Sequence, residues 1–390
     1  AQTHLTKQVL ETVQGMQVIK SYNLGGKNNK ELSNAFEENC NITMKLEKTM
    51  TPYIALQRIV LGISIAAIII LSAKYYIEGD MLLADAIMSM IAGFIIFEGI
   101  KAAGSSMAIL RIAENSIDSL KYMEKIPEIK EGAETSPIRH PDIEFKDVSF
   151  KYEGAEKSIL NNVDFTAKVG EKIAIIGSTG AGKSTLVNLL MRFLDTTSGE
   201  LLMNGVNIQE FTEKELREQI AFVPQNRMLF EGSIRDNLRF GNEHATDEEI
   251  IQALKQAEAW EFVSSLEEGL DAHVEQKGDN FSGGQKQRLS IARALVKHAS
   301  IYVYDDSFSA LDAKTEAKLR ANLVEINQQS IIFVVAQRIS SVTDATKIIV
   351  LHEGNVVGIG THDELKESNQ IYQEIMNSQS SLEEMEDTHE

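Results

Sequence analysis

Residues 172–185 read KIAIIGSTGAGKST, and this stretch decides the fold. An apolar run suited to a central strand leads directly into a glycine-rich turn that ends in Gly-Lys-Ser-Thr. From Gly177 the turn matches G-x-x-x-x-G-K-[ST], the loop that joins a strand to a helix and surrounds phosphates with backbone N–H groups. The sequence therefore predicts an α/β domain that binds a nucleotide.

The chemistry of this loop follows from its residue types. The glycines let backbone N–H groups close around the phosphates, and the N-terminus of the following helix adds a favourable dipole. Lys183 supplies a positive charge to the β- and γ-phosphates, and the Ser184 hydroxyl is a ligand for magnesium. The predicted phosphate-binding residues are Gly177, Ser178, Thr179, Gly180, Ala181, Gly182, Lys183, Ser184 and Thr185.

Strand and helix patterns alternate after residue 142, which indicates an α/β fold. IEFKDVSFKY (143–152) alternates apolar and polar residues, as a half-buried strand does. SIYVYD (300–305), QSIIFVVAQR (329–338) and KIIVLHEGNVVGIG (347–360) read as further strands. Asp305, at the end of an apolar strand downstream of a phosphate loop, is the predicted magnesium carboxylate.

FSGGQKQRLSIARAL (281–295) predicts a second helix whose N-terminus binds an anion. Ser282 stands where an N-cap belongs, and two glycines free the backbone N–H groups behind it. Two such helix ends in one chain indicate one of two arrangements. Either they bind different phosphates, or two subunits each contribute one helix end to the same phosphate.

The phosphate loop, the SGGQ helix and the acidic strand, in this order, resemble an ATP-binding cassette (ABC) ATPase over about 142–378. The resemblance implies a RecA-like core, an antiparallel β subdomain and an α-helical subdomain, with ATP and Mg²⁺ as ligands. Tyr152 matches the aromatic residue that stacks on adenine, and Gln225 matches a loop glutamine that contacts magnesium. Ser309–Asp312 matches a loop that crosses the dimer interface. By resemblance, Ser184, Gln225 and Asp305 hold the metal, and Ser282, Gly283, Gly284 and Gln285 bind the partner's ATP.

Two positions depart from the family's pattern. The family has a catalytic Glu after the magnesium Asp and a His after the strand VVA, whereas this chain has Asp306 and Gln337. The predicted catalytic set is therefore Asp306, Gln337 and Gln225, in a site that binds ATP well and hydrolyses it poorly. This combination resembles the degenerate-site subunit of a heterodimeric exporter, whose partner carries the Glu and the His. The alternative is a homodimer in which Asp306 is a slower base.

The N-terminal part, 1–125, has an all-α pattern. IVLGISIAAIIILSA (59–73) contains fifteen residues without a charge, and a second apolar segment is centred on 86–97. We predict membrane helices at about 54–77 and 82–112, because KYY (74–76) has the composition of a headgroup belt and the connecting loop lacks Lys and Arg. Buried core helices are the alternative, since both uncharged runs are shorter than the ~20 residues that span a bilayer. A linker is predicted at 126–141 and a disordered acidic tail at 379–390.

The first fifty residues resemble the intracellular segment of ABC exporters, and the apolar helices resemble the fifth and sixth of six membrane helices. The resemblance implies an N-terminally truncated half-transporter that crosses the cytoplasmic membrane several times, with its ATPase domain in the cytoplasm. It also implies lipid contact, a second half-transporter as partner, and a transported drug, lipid or peptide that the sequence leaves unknown.

Composition limits the other possibilities. The formal net charge of -19 argues against nucleic acid as a partner, because a phosphate backbone requires clustered Lys and Arg. The single cysteine, Cys40, excludes an intrachain disulfide. A soluble ABC ATPase that acts on nucleic acid or ribosomes, and a regulatory or channel-like ABC protein, remain the alternatives.

Overall fold

The computed structural model describes residues 2–22, 29–124, 129–134 and 141–387. The chain divides into two compact units, residues 1–127 and 128–390. The helices of the first unit are α1 (Gln2–Gln14), α2 (Met16–Ser21), α3 (Lys30–Glu78) and α4 (Leu83–Glu124). Helix α3 starts where the Asn29 side chain accepts a hydrogen bond from the Leu32 N–H, and it ends at Gly79 in the left-handed region, φ 84°. Residues 30–53, which are largely polar, and the predicted span 54–77 therefore form one helix.

Small polar residues join α3 to α4. The hydroxyl oxygens of Ser72 and Ser89 lie 2.8 Å apart, and Ser72 and Ala86 are buried in this contact. In the described part of the chain, α3 is the one helix that is long and apolar enough to cross a membrane. The second predicted span, 82–112, overlaps the first part of α4 and stays a prediction.

The second unit contains twelve strands and nine further helices within the described residues. The strands are β1 (Ile143–Phe150), β2 (Leu160–Ala167), β3 (Lys172–Gly177), β4 (Ser198–Met203), β5 (Val206–Asn207), β6 (Ile220–Val223), β7 (Gly232–Ser233), β8 (His273–Val274), β9 (Ile301–Asp305), β10 (Ile331–Val335), β11 (Lys347–His352) and β12 (Asn355–Gly360). The helices are α5 (Lys183–Leu190), α6 (Glu213–Gln219), α7 (Ile234–Arg239), α8 (Asp247–Gln256), α9 (Trp260–Ser264), α10 (Gly283–Leu295), α11 (Ala313–Asn327), α12 (His362–Ser368) and α13 (Gln370–Asp387).

A six-stranded sheet, in the order β12-β11-β3-β10-β9-β6, forms the centre of this unit. All of its strands are parallel except β12, which pairs antiparallel with β11. Side chains of β9 alternate between two hydrophobic cores: Ile301 and Val303 lie in one, and Tyr302 and Tyr304 lie in the other. Both faces of the sheet are therefore covered, as the unbroken apolar runs predict. A separate antiparallel sheet, β2-β1-β4-β5, and helices α7–α10 complete the predicted subdomains.

Two boundaries differ from the sequence predictions. Residues 129–134 lie within the predicted linker but belong to the second unit. There the Glu134 N–H donates to the Glu210 carbonyl at 2.8 Å, and the Arg192 guanidinium donates to the Lys130 carbonyl. Residues 379–387, in the predicted disordered tail, lie in α13, which continues to Asp387. This segment contains no Gly or Pro and is rich in Leu, Glu and Met, which favour helix.

Candidate nucleotide-binding site

The order of the parallel strands places four loops at one edge of the sheet. Strands β3, β10, β9 and β6 are consecutive neighbours and run in the same direction, so their carboxyl ends lie together. Ligands of open α/β sheets bind at this edge. The loop after β3 leads to Lys183 at the start of α5, and the loops after β10, β9 and β6 carry Gln337, Asp306 and Gln225, respectively.

A cleft of about 330 Å³ opens at this edge. The cleft brings together residues of the phosphate loop and of the predicted metal and catalytic set. Tyr152 lies at the side of the cleft, and the Tyr152 ring packs edge-on against Phe150 with ring centroids 4.8 Å apart. The lining residues are Tyr152, Ile159, Thr179, Gly180, Gly182, Lys183, Ser184, Thr185, Gln225, Asp305, Asp306, Val335 and Gln337.

The phosphate loop has the backbone that its glycines predict. Gly182 caps α5 with φ 103°, and a Cβ atom there would lie 2.7 Å from the Leu160 side chain. The Lys183 ammonium donates to the carbonyl oxygens of Gly177 at 2.7 Å and Ser178 at 2.9 Å. Burial lowers the pKa of Lys183, against the opposing effect of the Asp305 and Asp306 carboxylates. The loop thus presents a cation and the N-terminus of α5 to the cleft.

The predicted metal residues fit a magnesium ion. Asp305 is the last residue of β9, and its side chain is only 9% exposed. Burial raises the pKa of Asp305, the neighbouring Asp306 raises it further, and Lys183 opposes both. A cation would relieve the cost of this buried charge, and Ser184 and Gln225, whose side chains carry a hydroxyl and an amide oxygen, line the same cleft. Carboxylate, hydroxyl and amide oxygens are the hard ligands that Mg²⁺ prefers.

Asp306 is where the three predicted catalytic residues meet. Its backbone lies in the left-handed region, φ 49°, and its N–H donates to the Val335 carbonyl at 3.0 Å. The Oδ2 atom of Asp306 accepts hydrogen bonds from Nε2 of Gln225 at 3.3 Å and from Nε2 of Gln337 at 2.9 Å. The hydroxyl of Ser309 donates to the Asp306 carbonyl at 3.1 Å, which joins the following loop to the same residue.

The second predicted anion site has the expected helix end. The Ser282 hydroxyl accepts a hydrogen bond from the Gln285 N–H, and the Gln285 side chain accepts one from the Ser282 N–H, so the two form a capping box. The residues 282–285 do not line the cleft described above, and Gly283 instead lines a separate groove with Gln225. The structure therefore does not bring this helix end to the chain's own phosphate loop.

Sequence reasoning missed two polar residues beside the site. The Arg227 guanidinium donates to the buried Gln287 of α10 and, at 3.4 Å, to the Ser309 hydroxyl. Gln379 of α13 hydrogen-bonds the backbone on both sides of Arg338, in the loop that carries Gln337. Arg227 follows Gln225 by two residues, but the sequence contains no signal for its contacts. Gln379 continues an apolar helical stripe from Tyr372, which could have indicated that it faces the domain.

The fold and the site together define a P-loop ATPase domain. Residues 160–309 match the family model described as ABC transporter. The chain is 31% identical over 362 residues to an ATP-dependent lipid A-core flippase of Methylobacillus flagellatus, covering 93% of this chain and 61% of the relative. It is 42% identical over 237 residues to a putative multidrug export ATP-binding/permease protein of Bacillus subtilis, covering 61% of this chain and 41% of the relative.

A solved structure, that of a bacterial Atm1-family ABC exporter with ATP bound, superposes with a TM-score of 0.84 at 25% identity, covering 97% of this chain and 68% of the exporter. The chain therefore contains a domain with the ABC ATPase fold, preceded by a helical region that matches the fold of the Atm1-family exporter. It spans between 41% and 61% of the length of these two curated relatives.

Proposed function

We propose that this chain is the ATP-binding subunit of an ABC exporter that moves a drug, lipid or peptide out across the cytoplasmic membrane. We further propose that its own ATP site binds ATP but hydrolyses it slowly. The long match to a flippase and the apolar helix α3 support the transport role and a position in the membrane. The net charge of -19 favours this function over an ATPase that acts on nucleic acid.

ATP binding is supported by a complete set of binding groups. The phosphate loop supplies backbone N–H groups, the α5 N-terminus and the Lys183 ammonium. Asp305, Ser184 and Gln225 would hold magnesium, which neutralises phosphate charge when it is bound. Tyr152 offers an aromatic face at the side of the cleft. None of these positions departs from the family's pattern.

Slow hydrolysis is supported by the residue types at positions 306 and 337. Activation of an attacking water requires an atom that accepts its proton. Asp306 is the carboxylate placed to do this, and the side-chain amides of Gln225 and Gln337 hold its Oδ2 atom. The amide of Gln337 can neither take up a proton nor become cationic, as an imidazole can. Asp is also one methylene shorter than Glu, and a displacement of roughly an ångström can reduce a rate ~10²-fold.

The partner we propose is a second half-transporter with Glu and His at the corresponding positions. The Ser282 helix end has an intact cap and lies outside its own chain's cleft, so it is free to complete the partner's site. In this arrangement the faster hydrolysis takes place at the site formed by the partner's phosphate loop and this chain's SGGQ helix. A homodimer with Asp306 as the base would instead have two equal, slow sites.

The proposal is tested with the purified chain in detergent, without any partner. We expect saturable, Mg²⁺-dependent binding of a fluorescent ATP analogue, with ATP turnover close to the background set by the Lys183→Ala variant. Lys214→Ala is the matched control, because Lys214 is exposed and pairs only with Glu218 on α6 among the described contacts. Turnover of the chain alone at a rate typical of ATPases, roughly 1 s⁻¹ or faster, would contradict the slow site.

A further inference from the structure

Helix α13 packs on the ATPase domain through a regular stripe of side chains. Tyr372 is fully buried, and Ile375 and Met376 are partly buried against the same core. These positions are i, i+3 and i+4, which lie on one face of a helix, and Gln379 is i+7 on that face. The packing of α13 therefore directs Gln379 toward the domain.

Gln379 makes two hydrogen bonds to the loop after β10. Its Nε2 donates to the Gln337 carbonyl at 2.6 Å, and its Oε1 accepts from the Ile339 N–H at 2.9 Å. One side-chain amide thus fixes the backbone on both sides of Arg338, much as a neighbouring strand would. The side chain of Gln337 is exposed, and its own Nε2 reaches Asp306 at 2.9 Å. A continuous series of contacts links α13, the loop and Asp306.

We propose that Gln379 is a positioning residue that holds the Gln337 loop where the Gln337 side chain can reach Asp306. The inference deepens the proposed function, because it assigns control of the hydrolytic residues to the C-terminal helix. Gln379 does not line the nucleotide cleft, so its loss acts on the chemical step and leaves ATP binding unchanged. Movement of α13 away from the domain would release the loop in the same way as loss of the side chain.

The test uses the full chain in detergent and the variants Gln379→Ala and Gln379→Glu. Glu keeps an oxygen that accepts from the Ile339 N–H, but it places a carboxylate against the Gln337 carbonyl. Gln370→Ala is the matched control, since the Gln370 amide donates to Glu374 on the same helix and, among the described contacts, does not reach the loop. The rate of hydrogen exchange at the Ile339 N–H reports whether the hydrogen bond to the loop is kept. Single-turnover hydrolysis of labelled ATP, with protein in excess, reports the chemical step even at a slow site.

We expect faster exchange at Ile339 in Gln379→Ala and near-normal exchange in Gln379→Glu. The single-turnover rate should fall about tenfold in both variants, because the loop is displaced by a fraction of an ångström or more. The dissociation constant for ATP and the behaviour of Gln370→Ala should not change. In a Gln337→Ala background, Gln379→Ala should cause no further loss, because the side chain that it positions is absent.

Two results would overturn this assignment: an unchanged single-turnover rate in both Gln379 variants, or equal losses with and without Gln337. Fast turnover by the unaltered chain would contradict the slow site of the proposed function, but it would leave the role of Gln379 to be decided by the ratio between variant and parent.

Discussion

The two ends of the nucleotide cleft share one sheet edge but are built in different ways. The binding end is a single segment, residues 177–185, in which backbone groups and the N-terminus of α5 provide most of the phosphate-binding groups. The other end, which we propose is the hydrolytic end, brings together three side chains, Gln225, Asp306 and Gln337, from three separate loops. The first end therefore depends mainly on backbone geometry, with Lys183 as its one charged side chain, whereas the second depends on side chains alone.

Neighbouring aspartates show the same contrast. Asp305 closes a buried strand and is 9% exposed, whereas Asp306 lies in a turn with φ 49° and accepts hydrogen bonds from two other loops. Asp is one of the residues that tolerate the left-handed region best. The backbone at Asp306 thus suits the residue that is present, even though a longer carboxylate would reach further into the cleft.

The largest effect is expected at the binding end. Lys183→Ala removes a charged hydrogen-bond donor, which is worth about 2–3 kcal/mol, or roughly 30- to 150-fold in affinity for ATP. Titration with a fluorescent ATP analogue and Mg²⁺ measures it, with Lys214→Ala as the control. Equal affinities of the parent and the Lys183→Ala variant would show that the cleft is not the ATP site.

The next effect concerns the hydrolytic end. Asp306→Glu combined with Gln337→His should raise the single-turnover rate about 10- to 100-fold, because it restores the reach of the carboxylate and a group that can carry a proton. ATP affinity should change little. The same substitutions at exposed positions, Asp363→Glu with Gln370→His, are the control. An unchanged rate would mean that these two residues do not limit hydrolysis.

Two glycines of the binding end should differ in how much stability is lost when each is replaced by Ala. Gly182→Ala places a Cβ 2.7 Å from Leu160, whereas Gly180→Ala meets no atom within 4 Å, and both glycines have positive φ. We expect Gly182→Ala to lower the free energy of unfolding by about 2–3 kcal/mol and Gly180→Ala by about 1 kcal/mol. Thermal unfolding without nucleotide measures both, and equal losses would contradict the tight packing at Gly182.

The smallest effect is the pH dependence at Asp305. Its pKa is raised in the folded state, so the ionised form opposes folding, and this loss of stability develops as pH rises through the folded pKa. Asp305→Asn should raise Tm by about 2 °C at neutral pH without nucleotide, and the gain should vanish in acid, where the carboxyl is protonated. The variant should also lose the Mg²⁺ dependence of ATP binding. Asp363→Asn, an exposed control, should show neither change.

The strands, the phosphate loop and the Ser282 cap could be predicted because each depends on a few adjacent residues. Apolar runs predicted β3, β9 and β10, and a glycine pattern predicted the turn before α5. The contacts of Arg227 and Gln379 could not be predicted, since they depend on which loops the sheet order brings together. The helical end of α13 was missed because its acidic composition resembles that of a solvated tail.

The most direct test follows the fate of bound ATP. The chain is loaded with Mg²⁺ and [γ-³²P]ATP, and an excess of unlabelled ATP is then added so that each labelled molecule either dissociates intact or is hydrolysed first. We predict that most of the label leaves as ATP, and that Asp306→Glu with Gln337→His shifts it toward phosphate. Release of most of the label as phosphate from the unaltered chain would contradict a site that holds ATP without hydrolysing it.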